Sequence, residues 1–181
     1  MIMNLPNALA LLRVFMAPLM YLFLVERDAS IFEGIHYSWL DYFAALIFVC
    51  ASATDFFDGF IARSWNQKTK LGAILDPLAD KMLTLAAFLG LMMIDRANAW
   101  AIYLIMTREF FITGLRVMAV GEGRDIAASF AGKTKTVFQM IAIGFLMMNW
   151  PFANALLWFA VLLTLYSGYE YIIGYTKTED K

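Results

Sequence analysis

Long apolar runs separated by short polar clusters make up nearly the whole chain, and the runs have the length that a bilayer demands. Crossing about 30 Å of hydrocarbon takes about 20 residues rising 1.5 Å each. The first run extends from about Ala8 to Val25, with Asn7 placed to cap a helix and Pro18 inside it. Proline removes a backbone donor, so Pro18 predicts either a kink or a short in-plane helix ahead of the true crossing. A polar loop, Glu26–Ser38, precedes a second run, Trp39–Ala62. After the polar stretch Arg63–Leu71, a third run starts between Gly72 and Asp76 and ends near Ile94. Pro77 in that run suits a first helical turn capped by Asp76. Asp95–Asn98 forms a tight connection to a fourth run, Ala99–Val120, and Gly121–Gly132 is polar again. A fifth run, Lys133–Met148, turns at Asn149-Trp150-Pro151 into a sixth, Phe152–Tyr175, before a charged tail. The pattern predicts an all-α integral membrane protein with six transmembrane helices.

Composition agrees with the pattern. The chain is 62% hydrophobic and 16% charged, with 16 Phe, 12 Met and 5 Trp in 181 residues, well outside the averages of soluble domains. No linker-like stretch divides it, so residues 1–181 are read as one domain. Cys50 is the single cysteine, which excludes an intrachain disulfide, and it reads as a small apolar residue of a membrane helix. His36, the single histidine, falls in a predicted loop as a surface residue. The N-terminus has neither a basic leader nor a small-residue cleavage site, and is read as that of the mature protein. The charges are unevenly placed. With the N-terminus inside, the cytosolic ends hold Arg13, Arg63, Lys68, Lys70, Arg116, Arg124, Lys133, Lys135, Lys177 and Lys181, and the far side holds Arg27 and Arg96. The positive-inside rule therefore puts both termini in the cytosol. Trp39, Trp65, Trp100 and Trp150 fall near predicted interfaces, where tryptophan anchors a span.

Against this background four aspartates stand out. Asp55 and Asp58 are three apart and Asp76 and Asp80 four apart, so each pair can share one helix face. A carboxylate at the bilayer centre costs about 2.5–3.5 kcal/mol on the mild insertion scale. Something positive must neutralise four of them. Carboxylate oxygens on opposed helices suit Mg²⁺, Mn²⁺ or Ca²⁺, whereas zinc favours His and Cys, and four carboxylates balance two divalent ions. Gly59, Ala62 and Gly72 leave room for a bulky ligand, and the fork of Arg63 fits a phosphate oxygen. Two metals, an arginine and a spare carboxylate compose a site for pyrophosphate chemistry.

The spacing Asp-x2-Asp-Gly-x2-Ala-Arg-x8-Gly-x3-Asp-x3-Asp, met at Asp55, Asp58, Gly59, Ala62, Arg63, Gly72, Asp76 and Asp80, resembles the defining motif of the CDP-alcohol phosphotransferases. The resemblance runs along nearly the whole chain. It implies that Asp55, Asp58 and Asp76 ligate two Mg²⁺ or Mn²⁺ ions, with Asp80 as general base that also touches a metal. It further implies that Gly59, Ala62, Arg63 and Gly72 sit against the CDP group, with Thr69 of the intervening loop as a further nucleotide contact. The implied reaction is a single displacement: an alcohol gives its proton to Asp80 and attacks the lipid-side phosphorus of a CDP-linked lipid, and CMP leaves.

Two further segments bear on the acceptor. Arg108 and Arg116 are eight residues apart, about 80° round a helix, so both can face one cavity. Lys133 and Lys135 stand at a predicted helix N-terminus, which itself favours anions. Together these four compose a basic pocket for an acceptor bearing a phosphate. The segments are similar to the branch of the family that transfers a phosphatidyl group from CDP-diacylglycerol to glycerol 3-phosphate, making phosphatidylglycerophosphate. Other readings stand beside this one. Arg108 and Glu109 can pair with other buried charges, Lys133 and Lys135 can be topology residues, and Asn7 and Arg13 can cap and snorkel or reach the site. Inositol phosphate or phosphatidylglycerol as acceptor would use the same metal motif. A divalent-cation transporter would explain the aspartates but has no use for Arg63, and six spans are few for an aspartate-rich prenyltransferase. The resemblance also implies a homodimer in a bacterial inner membrane, its site facing the cytosol, with lipid and no nucleic acid as partner.

Overall fold

In the computed structural model the backbone is described over residues 5–64, 72–121 and 130–179, and the side chains over 7–54, 78–119 and 130–176. Six long helices account for almost all of it: α1 (Leu5–Val25), α2 (Tyr37–Ser64), α3 (Gly72–Met93), α4 (Ala99–Gly121), α5 (Phe130–Met147) and α6 (Ala153–Glu179). A single 3₁₀ turn, Ser30–Phe32, lies between α1 and α2, and no strand occurs among the described residues. The expected all-α architecture is therefore found. Among the described residues, three helices contain stretches long and apolar enough to cross a membrane, Asn7–Val25 in α1, Tyr37–Thr54 in α2 and Ala153–Thr176 in α6. The other three carry further charged groups discussed below, Asp80 on α3, Arg108, Glu109 and Arg116 on α4 and Lys135 on α5.

The helix ends follow local chemistry. His36 is exposed, as expected, and its Nδ1 accepts from the Ser38 backbone N–H at 3.2 Å at the start of α2. Asn98 Oδ1 accepts from the Trp100 and Ala101 N–H groups at 2.9 and 3.3 Å, capping α4. At the end of α3, Arg96 N–H donates to the Leu91 carbonyl and Asp95 N–H to that of Met92, with Asp95 at φ 56°. This is the left-handed closure that glycine usually supplies, taken here by a short polar residue. Asn149, at φ 51°, closes α5 in the same way through Trp150 N–H on the Phe145 carbonyl.

Expectations about three helix starts, and one about Pro18, need correction. α1 begins at Leu5, so Asn7 lies inside it, 1% exposed, and is not its cap. α1 also runs through Pro18 as one helix, which sets aside a separate in-plane piece. Its long apolar flanks keep the helix continuous although Pro18 has no N–H for the Val14 carbonyl. α3 is already helical at Gly72, so Asp76 is its fifth residue and not a cap. α5 starts three residues before Lys133, which moves Lys135 into the second turn, away from the unpaired N–H groups of the first.

The chain divides into two compact units, Met1–Arg96 with Met147–Asn149, and Ala97–Leu146 with Trp150–Lys181. In the first, α1 packs on α2 and α3, and α2 on α3. Small residues permit the close approach: Ala10 and Ala17 of α1, Ala44 and Ala51 of α2 and Ala87 of α3 are all buried. At Gly90 a Cβ would sit 2.9 Å from Leu24 Cδ1 and 3.2 Å from Leu24 Cβ. In the second unit α4 packs on α6. The buried positions of α6, Leu157, Ala160, Val161, Thr164, Ser167 and Tyr171, recur at three- and four-residue steps along one stripe. Outward faces are apolar instead of charged. Leu12, Phe15, Leu19 and Leu22 form such a stripe on α1, and Leu162, Leu165, Tyr166, Tyr169 and Ile172 another on α6. Cys50 is likewise exposed on α2, as suits a lipid-facing helix. Exposed apolar stripes of this extent on soluble proteins mark binding faces; on a protein with membrane-length helices they face acyl chains.

Candidate active site

The eight motif positions fall on two helices of the first unit. Asp55, Asp58, Gly59, Ala62 and Arg63 occupy the last turns of α2, and Gly72, Asp76 and Asp80 the first turns of α3. At about 100° per residue, Asp55, Asp58, Gly59 and Ala62 lie within an arc of about 100°, and Gly72, Asp76 and Asp80 within about 80°. Each helix therefore carries its share of the motif on one register face, and the two helices pack together. Thr69 lies outside the described residues. Of the four carboxylates only the Asp80 side chain is described; it is half-buried, and Thr84 Oγ1 donates to its backbone carbonyl at 3.0 Å. A donor set of carboxylate oxygens alone, divided between two packed helices, fits Mg²⁺ or Mn²⁺ and does not fit zinc.

The predicted basic residues fall in the second unit. Arg108 and Glu109 on α4 and Lys135 on α5 form one part-buried cluster: Lys135 Nζ donates to Glu109 Oε1, and Arg108 Nη1 lies 3.4 Å from the same oxygen. Arg108 Nη2 donates to Ser167 Oγ on α6 at 2.9 Å. Arg116, one step further along α4, lies over the Tyr171 ring, 5.9 Å from its centroid. Both arginines thus meet α6. Buried pairing, the alternative reading for Arg108 and Glu109, is also realised. Lys133 is exposed while Lys135 is 6% exposed, because two residues along a helix point about 200° apart. Below this cluster Gln139 Nε2 donates to Thr164 Oγ1 at 2.8 Å, and Thr164 donates to the Ala160 carbonyl at 2.6 Å, both wholly inside the protein.

Glu109 as the shared counter-ion, and the α6 partners Ser167 and Tyr171, are additions to what the sequence offered. The polar residues Thr164 and Ser167 within the mainly apolar stretch of α6 were the available signal. A second missed cluster lies in the first unit. Asp41, near the start of α2, accepts from Arg27 Nη2 on one oxygen and from Arg96 Nη2 on the other at 2.6 Å. Arg96 Nη1 also donates to the Met147 carbonyl at 2.5 Å, and Arg27 Nε to that of Leu24 at 2.7 Å. Arg27 and Arg96, the two cations expected on the far side, thus share one carboxylate. Arg13 is 0% exposed, buried within the protein and not snorkelling at an interface. An open cavity of about 620 Å³ lies in the α1–α2 connection, lined by Arg27, Asp28, His36 and Tyr37 among others. Within it Tyr37 Oη donates to Asp28 at 2.6 Å, and it holds none of the motif.

Two packed helices that carry the acidic motif positions, within a chain that has membrane-length helices, are the arrangement of a membrane protein with an acidic site. Comparison with known proteins makes the class specific. The family model for CDP-alcohol phosphatidyltransferases matches residues 3–166, and the chain belongs to that family. It is 41% identical over 179 residues to the CDP-diacylglycerol–glycerol-3-phosphate 3-phosphatidyltransferase of Bacillus subtilis (strain 168), covering 93% of each chain. It is 36% identical over 180 residues to the Escherichia coli (strain K12) protein of that name, again covering 93% of each. A probable phosphatidylglycerophosphate synthase of Mycobacterium tuberculosis (strain ATCC 25618 / H37Rv) is 39% identical over 176 residues, 94% of this chain and 81% of that one.

Proposed function

We propose that this protein transfers the phosphatidyl group of CDP-diacylglycerol to glycerol 3-phosphate, releasing CMP and forming phosphatidylglycerophosphate. The observation that carries the reading is the complete eight-position motif in a chain that aligns over 93% of its length with relatives named for this reaction. The family match passes through both compact units, which supports reading residues 1–181 as one functional domain.

Asp55, Asp58, Asp76 and Asp80 are the residues that would hold two Mg²⁺ or Mn²⁺ ions, which when bound neutralise the pyrophosphate and ease departure of CMP. Gly59, Ala62 and Gly72 let the nucleotide approach the backbone, Thr69 adds a loop contact and Arg63 supplies a forked cation to phosphate oxygen. Asp80 takes the proton of the acceptor hydroxyl, whose oxygen then forms the new bond to the lipid-side phosphorus as the bond to CMP breaks. Arg108, Arg116 and Lys135 recognise the acceptor's phosphate, and Glu109 offsets one of the two charges of Lys135 and Arg108, leaving net positive charge for that anion. Lys133, on the outer side of α5, belongs to the positive-inside pattern. The chain crosses the inner membrane six times with both termini and the site in the cytosol, and works as the homodimer that the family resemblance implies.

The test is acceptor choice. Purified protein given CDP-diacylglycerol and, separately, labelled glycerol 3-phosphate, inositol phosphate or phosphatidylglycerol is expected to yield product with the first alone. Product only with inositol phosphate would transfer the assignment to a sibling activity. Within the preferred reading, Lys135→Ala or Arg116→Ala is expected to raise the KM for glycerol 3-phosphate about 10- to 100-fold, as loss of a charge-assisted contact does. The KM for CDP-diacylglycerol should stay within about 2-fold. Equal effects on both substrates would remove these residues from the acceptor pocket.

A further inference from the structure

The acceptor reading leaves α6 without a role, yet the cations assigned to it lean on that helix. Ser167 Oγ takes the Nη2–H of Arg108 at 2.9 Å. Next to it, a Cβ at residue 168 would lie 3.2 Å from both Cγ and Nε of Arg108, so the arginine lies against bare backbone at Gly168. One turn on, the Tyr171 ring faces the guanidinium of Arg116. Ser167, Gly168 and Tyr171 belong to the buried stripe of α6. Two buried polar atoms here have no hydrogen-bond partner among the described residues: Arg108 Nε and Tyr171 Oη. The Arg108 side chain is 10% exposed and Tyr171 6%. Buried donors are almost always satisfied, and a pair of exceptions on contacting helices calls for a partner.

We infer that the Ser167–Gly168–Tyr171 stripe of α6 is the positioning wall of the acceptor site. It fixes the plane of Arg108 and the reach of Arg116, and it leaves the Arg108 Nε–H and the Tyr171 hydroxyl for a phosphorylated acceptor to satisfy. The inference rests on the reading that these arginines bind the acceptor's phosphate. A guanidinium binds phosphate with two parallel N–H groups only when its plane is set, and Arg108 has several rotatable bonds to lose. Ser167 sets the plane by a hydrogen bond, and Gly168 by leaving room for the side chain to lie flat. Ser167 and Gly168 act through Arg108 and are positioning residues; Tyr171 both carries Arg116 and offers its own hydroxyl.

The full-length enzyme in mixed micelles with CDP-diacylglycerol provides the test, with KM for each substrate and kcat as readouts. Ser167→Ala and Tyr171→Phe, both close to isosteric, are expected to raise the KM for glycerol 3-phosphate about 3- to 10-fold, the effect of one hydrogen bond. Gly168→Ala is expected to do more, because Arg108 must move. The KM for CDP-diacylglycerol should stay within about 2-fold in each. In an Arg108→Ala background, Ser167→Ala should add nothing further, since a residue that acts through another has no effect once that other is gone. If Arg108→Ala raises the acceptor KM and the α6 variants do not, the positioning wall is wrong while the acceptor reading survives. Equal shifts for both substrates, or the same Ser167→Ala effect with and without Arg108, reduce α6 to a packing role. No effect of Arg108→Ala itself overturns the acceptor reading and this inference together.

Discussion

Asp80→Asn is expected to lower kcat by about 10²–10⁴-fold, the contribution of a well-placed acid–base group. Asparagine keeps the volume and hydrogen-bonding reach of the side chain but has no oxygen able to take a proton at neutral pH. Asp80 is the half-buried carboxylate one turn beyond Asp76 on the register face of α3 that carries the motif. With Asp55, Asp58 and Asp76 intact, binding of divalent metal and of CDP-diacylglycerol should remain detectable in the variant. Initial rates of CMP release at saturating substrate check the first part, and equilibrium binding of the CDP-lipid the second. A normal rate would remove Asp80 from the role of base.

The second large effect concerns stability. Asp41 is the carboxylate shared by Arg27 and Arg96, with side-chain exposures of 9%, 13% and 17% for the three groups. Removing one partner of a buried ionic cluster leaves the others uncompensated, at a cost of about 3–5 kcal/mol. Asp41→Ala should therefore lower the melting temperature in detergent by many degrees. Double replacement of Asp41 and Arg27 by apolar residues should recover part of that loss, since one buried charge then disappears with its partner. Recovery stays partial because Arg96 also caps the Met147 carbonyl. An unchanged melting temperature in Asp41→Ala would show that solvent already screens the cluster.

Much of the architecture could be read directly from hydropathy. Apolar runs of bilayer length have little freedom to be anything but helices, and α2, α4 and α6 begin or end within a few residues of the expected positions. The errors gathered at helix starts, where polar residues suggest a cap but the chain is already helical, as at Asn7 and Asp76. The motif was legible because its chemistry lies in residue identity at fixed separations within two helices. Contacts between distant segments were not. Asp41 meets Arg27 and Arg96 at separations of 14 and 55 residues, and Arg108 meets Ser167 at 59, and no local periodicity encodes such pairs. Lys133 and Lys135 looked alike in sequence, and only the helix register separated an exposed lysine from a buried one.

On the proposed function, carboxylates of the paired helices α2 and α3 together hold two divalent ions for the cleavage of a nucleotide-linked lipid. The most direct test is CMP release by chelator-stripped protein supplied with CDP-diacylglycerol. CMP is expected only when glycerol 3-phosphate and either Mg²⁺ or Mn²⁺ are both restored, and none when any one of Asp55, Asp58 and Asp76 is replaced by alanine. CMP released at full rate without metal, or from proteins lacking those carboxylates, would contradict it.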